Sequence, residues 1–217
     1  MTSNSIPPEA FNDILEELRR QPIAMNRYRT KAGEGQSLTW GIVNRRSLAP
    51  DYSRNNWMRP YLYHLLIDFA SKYVTVPFTS ITVNENYKAQ KHRDKNNKGD
   101  SFLVAFGNYE SGRLNILEGD LSGCYDINCK PIVTDFSKVY HEVEDFTGTR
   151  YSLVFYTFES PRSVPLPPWD LRQEDGKWWF YRDGIKITKH NGLPHPLRGK
   201  KKTKMMIQKT STTVTFE

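Results

Sequence analysis

The feature that most constrains this chain is a change of hydrophobic period at residue 79. Before it, two stretches repeat apolar residues at the three- and four-residue spacing of an amphipathic helix. Residues 7–20 place Phe11, Ile14, Leu15 and Leu18 on one face behind a proline pair. Residues 60–73 place Leu62, Leu65, Leu66, Phe69 and Tyr73 in one stripe behind Pro60, and proline suits a first helical turn. From residue 79 onward the apolar runs become short: TSITVN, SFLVAFG, RLNILEG, PIVTDF and RYSLVFYTF, separated by the turn-rich clusters DKNNKGD, NYESG and DFTGT. Helices first and strands afterwards predict an α+β fold with helices backing one face of an antiparallel sandwich or barrel.

The flanks have a different character. Residues 27–36, RYRTKAGEGQ, are basic and glycine-containing without apolar periodicity, which predicts a loop before a short strand at 38–43. After residue 158 come the proline-rich SPRSVPLPPWD and then KWWFYRDGIKITKH, where Asp183-Gly184 predicts a tight hairpin turn. The tail opens with the basic RGKKKTK. These shifts suggest a single domain over 1–217, with N-terminal helical support (1–78), a β core (79–158) and a C-terminal β-hairpin extension (159–217).

At 217 residues and 37% apolar content, the chain can fill one well-packed core. Lysine and arginine outnumber aspartate and glutamate by 31 to 24, a net charge of +7, which favours a polyanionic partner such as nucleic acid. Arg27, Arg29 and Lys31, with Lys200, Lys201 and Lys202, are the candidate nucleic-acid contacts. Cys124 and Cys129 are too few for a disulfide framework or a four-cysteine zinc site. No basic-then-apolar leader and no run of about 18 apolar residues occurs, so the expectation is a soluble intracellular protein, cytoplasmic or nuclear, with no membrane partner.

Of the five histidines, His64 reads as a helix residue with Asp68 one turn on, and His190 and His195 fall in a Gly/Pro-rich loop. His92 and Asp94 are two apart, so in an extended segment continuing from a strand at 81–84 both side chains face one way. Two ligands cannot hold iron facially, and the 2-His-1-carboxylate arrangement needs a second histidine from a distant strand. His141, expected at the end of a strand over 134–140, is the candidate. Nine residues later, alternation puts Arg150, Ser152 and Val154 on one strand face and Tyr151, Leu153 and Phe155 on the other. A buried guanidinium is costly without an anion, and a carboxylate is its best match. Glu142, Glu144 or Asp145 would satisfy it structurally; a bound carboxylate would satisfy it functionally.

The order His92-x-Asp94, His141, Arg150-x-Ser152 resembles the double-stranded β-helix (jelly-roll) dioxygenases that use iron(II), 2-oxoglutarate and O2. The runs ITVNENYKAQKHRDKNNKGDSFLVAFGNYESGRLNI and YHEVEDFTGTRYSLVFYT are similar to the branch related to the ten-eleven-translocation (TET) and J-binding-protein enzymes. That resemblance implies His92, Asp94 and His141 as iron ligands, and Arg150, Ser152 and Tyr87 as 2-oxoglutarate contacts. It further implies Asn84 or Asn86 as substrate-pocket residues and the 5-methyl group of a pyrimidine in DNA as the oxidised position. Hydroxylation of a protein side chain or small molecule at the same site is the alternative. A catalytically inactive nucleic-acid-binding module is a third, disfavoured because all five residues of the pattern are intact. Asn96, Asn97, Gly99, Gly107 and Gly112 read as scaffold for turns and close approaches, and Tyr28, Trp40 and Trp57 as candidate base stackers or core.

Overall fold

The computed structural model describes residues 5–23, 33–45, 48–158, 169–174, 177–182 and 185–187. A 3-10 turn at Pro8–Phe11 leads into helix α1 (Asn12–Arg20). The short α2 (Asn55–Met58) precedes α3 (Pro60–Tyr73), which begins on its proline and ends with Lys72 ion-paired to Asp68 at 2.7 Å. Arg59 joins the two helical ends by donating to the Gln21 and Pro22 carbonyls at 2.5 and 3.0 Å, carbonyls that a helix terminus otherwise leaves unpaired.

Strands β1 (Gly33–Arg45), β2 (Leu48–Tyr52), β3 (Ser80–Ala89), β4 (Ser101–Ser111), β7 (Ile132–Thr134) and β9 (Phe146–Tyr156) form a six-stranded sheet in the order β2-β1-β3-β9-β4-β7, all neighbours antiparallel. Strands β5 (Leu114–Ile116), β6 (Gly123–Tyr125) and β8 (His141–Val143) form a smaller sheet in the order β6-β5-β8. Alternation along β4 shows how the layers are built. Phe102, Val104 and Phe106 pack with Phe11, Leu18, Leu62, Leu66 and Phe69 of the helical layer, together with Val83, Leu153 and Phe155. Leu103 and Ala105 point the other way, to Leu114, Ile116, Ile127 and Phe136 between the two sheets. Each fully buried Leu or Phe contributes about 1.5–3 kcal/mol, so the helix-backed face is the larger store of stability.

Several elements differ from the sequence-based expectations. The large sheet starts well before residue 79, and Gly33 to Gln36, expected as loop, already belong to β1. NYESG and DFTGT, expected as turns, are the paired ends of β4 and β9, with Tyr109 opposite Gly148 and Ser111 opposite Phe146. Residues 135–140 are turn, capped by Ser137 on Asp135, so His141 opens a strand and does not close one. DKNNKGD is a turn as expected. Strands β10 (Trp169–Glu174), β11 (Lys177–Arg182) and β12 (Ile185–Ile187) make a separate three-stranded sheet in which Arg182 pairs Ile185. Asp183 and Gly184 lie outside the described residues, as do Tyr28, His190, His195 and the six basic residues Arg27, Arg29, Lys31, Lys200, Lys201 and Lys202. Among the described residues, no helix is long and apolar enough to cross a membrane.

Candidate metal and co-substrate site

His92 and Asp94 come just after β3 ends, and His92 is held opposite His141 by a reciprocal backbone pair, each N–H donating to the other's carbonyl at 3.0 Å. The Asp94 N–H donates to Phe136 O at 3.0 Å. This isolated bridge, in place of the continuous strand expected, brings ligand atoms of His92, Asp94 and His141 within 4.8 Å of one another. His92 Nε2 lies 3.5 Å from Asp94 Oδ1, and the two imidazole rings are 4.3 Å apart.

The donor chemistry of this set fits a divalent metal. His92 Nδ1 faces the Gln90 carbonyl at 2.6 Å, and His141 Nδ1 faces the Val139 carbonyl at 3.2 Å. A carbonyl only accepts, so each Nδ1 carries the proton and each Nε2 keeps its lone pair for a ligand. Burial of His141 and its proximity to His92 hold its pKa below the usual histidine value despite Asp94, which favours the neutral, ligating form. The buried Asn97 donates its side-chain amide to Asp94 Oδ2 at 3.3 Å, and its backbone N–H to Asp94 O at 2.8 Å. A residue expected only to turn the chain therefore also orients the carboxylate.

All three line a cavity of about 700 Å³ that also contains Arg150, Ser152, Asn84 and Tyr87, with apolar walls from Leu103, Leu114, Phe136, Val143 and Val154. Its size falls in the usual range for small-molecule sites. Alternation on β9 holds as expected: Arg150, Ser152 and Val154 face the cavity, while Tyr151, Leu153 and Phe155 lie in the helix-backed core.

Arg150 is only 2% exposed and makes no ion pair among the described residues. Of the three carboxylates expected as structural partners, Glu144 pairs with Arg113 at 2.8 Å and Asp145 with Lys88, and Glu142 forms no ion pair with Arg150. Its guanidinium carbon lies 5.5 Å from the Tyr109 ring and 5.7 Å from the Phe146 ring, and its Nε is buried without a hydrogen-bond partner. Burial holds the guanidinium pKa below its usual value, with Tyr109 opposing the shift. The same burial pushes the Tyr109 phenol up to about 12. Gly112 completes this cradle: at φ 64°, a Cβ there would sit 2.9 Å from Phe146 Cβ and 3.1 Å from Arg150 Cδ. A buried cation with an unmet donor, opening on a cavity, is suited to an anionic ligand.

Tyr87 reaches the cavity because β3 is bulged. Thr82 and Asn84 face it, and unbroken alternation would continue to Asn86 and Lys88; instead Tyr87 and Ala89 line it. Asn86 takes φ 48°, the β1–β3 register shifts between Glu34 and Gln36, and a Cβ at Gly35 would lie 2.5 Å from Tyr87 Cα. A bulge re-aims the side chains beyond it by one position. Asn86 consequently does not line the cavity; its Oδ1 accepts the Arg150 backbone N–H at 2.8 Å, tying the bulge to the arginine's strand. Asn84 lies on the cavity wall, donating to Ser152 Oγ at 3.1 Å while its own Oδ1 is buried without a partner.

Trp40 is fully buried in the helix-backed core, which removes it from the candidate stackers, and the Trp57 side chain lies outside the described set. His64 is 5% exposed on α3, and burial lowers its pKa to about 4 against the weaker raising influence of Asp68.

No family model matches the sequence, and no curated protein matches it. Among solved structures, the chain is similar to NgTET1 in complex with 5mC DNA, with a TM-score of 0.54 and 14% identity over 70% of this chain and 69% of that one. The chain has the double-stranded β-helix fold. Weaker likenesses extend to a Burkholderia pseudomallei 2OG-Fe(II) oxygenase-family protein (TM-score 0.48, 14% identity, 70% and 82% covered) and a Pseudomonas putida prolyl-4-hydroxylase (0.46, 14%, 73% and 90%).

Proposed function

We propose that this chain is an iron(II)- and 2-oxoglutarate-dependent oxygenase that hydroxylates a C–H bond, with the 5-methyl group of a pyrimidine in DNA as its substrate. The observation that carries the reading is the sharing of one cavity by a convergent His-Asp-His set and a buried arginine that meets no carboxylate among the described residues. His92, Asp94 and His141 would hold the metal, which when bound supplies oxygen activation coupled to oxidative decarboxylation of the keto acid. Arg150 binds the distal carboxylate of the co-substrate by charge-assisted hydrogen bonds, with Ser152 and Tyr87 beside it. Leu103, Leu114, Phe136, Val143 and Val154 keep water from the reacting region. No general base is required of the protein, whose part is to bind, orient and shield.

The DNA substrate is supported by the likeness to NgTET1, solved with 5mC DNA, and by the net charge of +7. Succinate formation that requires iron(II), O2 and 2-oxoglutarate, followed by mass spectrometry of nucleosides from methylated DNA, tests both levels. The expected result is loss of 5-methylcytosine or thymine with a matching oxidised nucleoside. Unchanged nucleosides alongside an oxidised peptide or free metabolite would overturn the DNA substrate, and no succinate under any condition would overturn the enzyme.

A further inference from the structure

The loop that delivers two of the three proposed ligands is unusually cationic. Within residues 88–98, KAQKHRDKNNK, stand Lys88, Lys91, Arg93, Lys95 and Lys98 against the single carboxylate Asp94. Two of these charges are matched: Lys88 pairs with Asp145, and Arg93 pairs with Glu118 at 2.6 Å. Glu118 also accepts the Tyr140 backbone N–H at 2.6 Å, and its pKa is held below the usual carboxylate value by Arg93, Tyr140 and Lys91 against the opposing effect of burial. Lys91, Lys95 and Lys98 are exposed and form no ion pair among the described residues.

This loop is fixed in place. Asp94, Asn97 and Lys98 donate their backbone N–H groups to Phe136 O, Asp94 O and Thr157 O at 3.0, 2.8 and 2.8 Å, and Asn97 is buried. Lys95 lines the cavity beside the metal ligands, and Lys91 lies 5.2 Å over the Tyr140 ring on which Arg93 also stacks at 4.2 Å. Three like charges without an ion pair on a pinned loop repel one another, and a polyanion laid across them relieves that repulsion while releasing its own counterions.

We propose that Lys91, Lys95 and Lys98 form a phosphate-docking rim that seats a nucleic-acid backbone at the cavity mouth. This rests on the nucleic-acid reading above and deepens it by placing the backbone contact on the metal-ligand loop. The occupant is a nucleic acid because the rim adjoins the cavity in which a base would react, and because the whole chain carries excess positive charge. An acidic peptide is the competing occupant.

The test is binding of a fluorescent oligonucleotide containing 5-methylcytosine, by anisotropy across a salt series, to the full chain and to a Lys91→Gln/Lys95→Gln/Lys98→Gln variant. Each phosphate contact contributes roughly 0.7–0.9 to the slope of log affinity against log salt, so the variant's slope should be shallower by about 2–3. At 100 mM salt its affinity should fall by at least about 10-fold. A control that removes three ion-paired lysines elsewhere, Lys72→Gln/Lys130→Gln/Lys138→Gln, should keep nearly the wild-type slope. Equal slopes for rim variant and wild type would overturn the proposal. So would an equal loss in the control, or displacement of the oligonucleotide by polyglutamate at matched charge concentration. Binding is read without turnover; a wild type that makes no succinate but loses its salt slope in the rim variant would refute the oxygenase and support the rim.

Discussion

Replacing Arg150 by methionine separates a structural arginine from a ligand-binding one. A buried arginine in a structural salt bridge costs about 3–5 kcal/mol when removed, because its partner is left charged and unpaired. Arg150 has no such partner among the described residues. Arg150→Met removes an unmet buried donor, worth about 1–3 kcal/mol, and loses desolvated ring contacts with Tyr109 and Phe146 worth up to about 2 kcal/mol each. These partly offset, so the unliganded variant should be within about 2 kcal/mol of wild type, or roughly 4–8 °C in Tm for a chain of this size. Co-substrate binding behaves differently. Truncating one side of a buried charged pair costs about 2–5 kcal/mol, a weakening of roughly 30- to several-thousand-fold in Kd. Calorimetric titration of 2-oxoglutarate into iron-loaded, oxygen-free protein, beside thermal melts with and without the ligand, reads both quantities. An unliganded Tm lowered by more than about 10 °C, or co-substrate affinity equal to wild type, would refute the assignment.

Asn86→Gly keeps the positive φ but leaves the Arg150 N–H without its acceptor; 2-oxoglutarate affinity should fall about 10-fold, whereas Asn86→Asp, which keeps an acceptor oxygen, should stay close to wild type, and equal behaviour of the two would contradict the positioning role. His64, with its folded pKa lowered to about 4, contributes stability that is fully present above the unfolded value near 6.5 and is lost as pH falls toward 4, since only the unfolded chain takes up the proton in that window. Urea midpoints between pH 7 and 4 should therefore fall less steeply for His64→Leu than for wild type; parallel declines would contradict this. Asn97→Ala should weaken iron binding about 10-fold by releasing Asp94 Oδ2, measured by metal titration, and unchanged affinity would place Asn97 as a turn residue alone.

Strand β9 was readable because a period of two is a local property: once RYSLVFYTF is taken as a strand, the faces of Arg150 and Leu153 follow. Helix α3 was equally local, and its bounds at Pro60 and Tyr73 match the apolar stripe. The aim of Tyr87 was not readable, because the bulge at Asn86 depends on Gly35 in a strand some fifty residues away. The setting of His92 opposite His141 was hidden for the same reason: one long-range bridge holds His92, and His141 is held by that bridge and by its pairing with Ile116 of β5. NYESG and DFTGT misled because Gly, Asn, Asp and Ser favour turns in isolation. Ten antiparallel pairings between β4 and β9 outweigh that preference, with Gly107 and Gly148 absorbing positive φ. Tyr109 and Phe146, hidden in those two clusters, were missed as the aromatic walls of the arginine's cradle.

The central claim is that His92, Asp94 and His141 form one metal site that works with Arg150. Oxygen-free titration of iron(II), then 2-oxoglutarate, into wild type and Asp94→Ala tests it most directly. Wild type should bind one equivalent of iron, with 2-oxoglutarate binding that strengthens once the metal is present, and Asp94→Ala should lose both effects. Wild type that binds no iron, or Asp94→Ala that binds metal and co-substrate as wild type does, would contradict it.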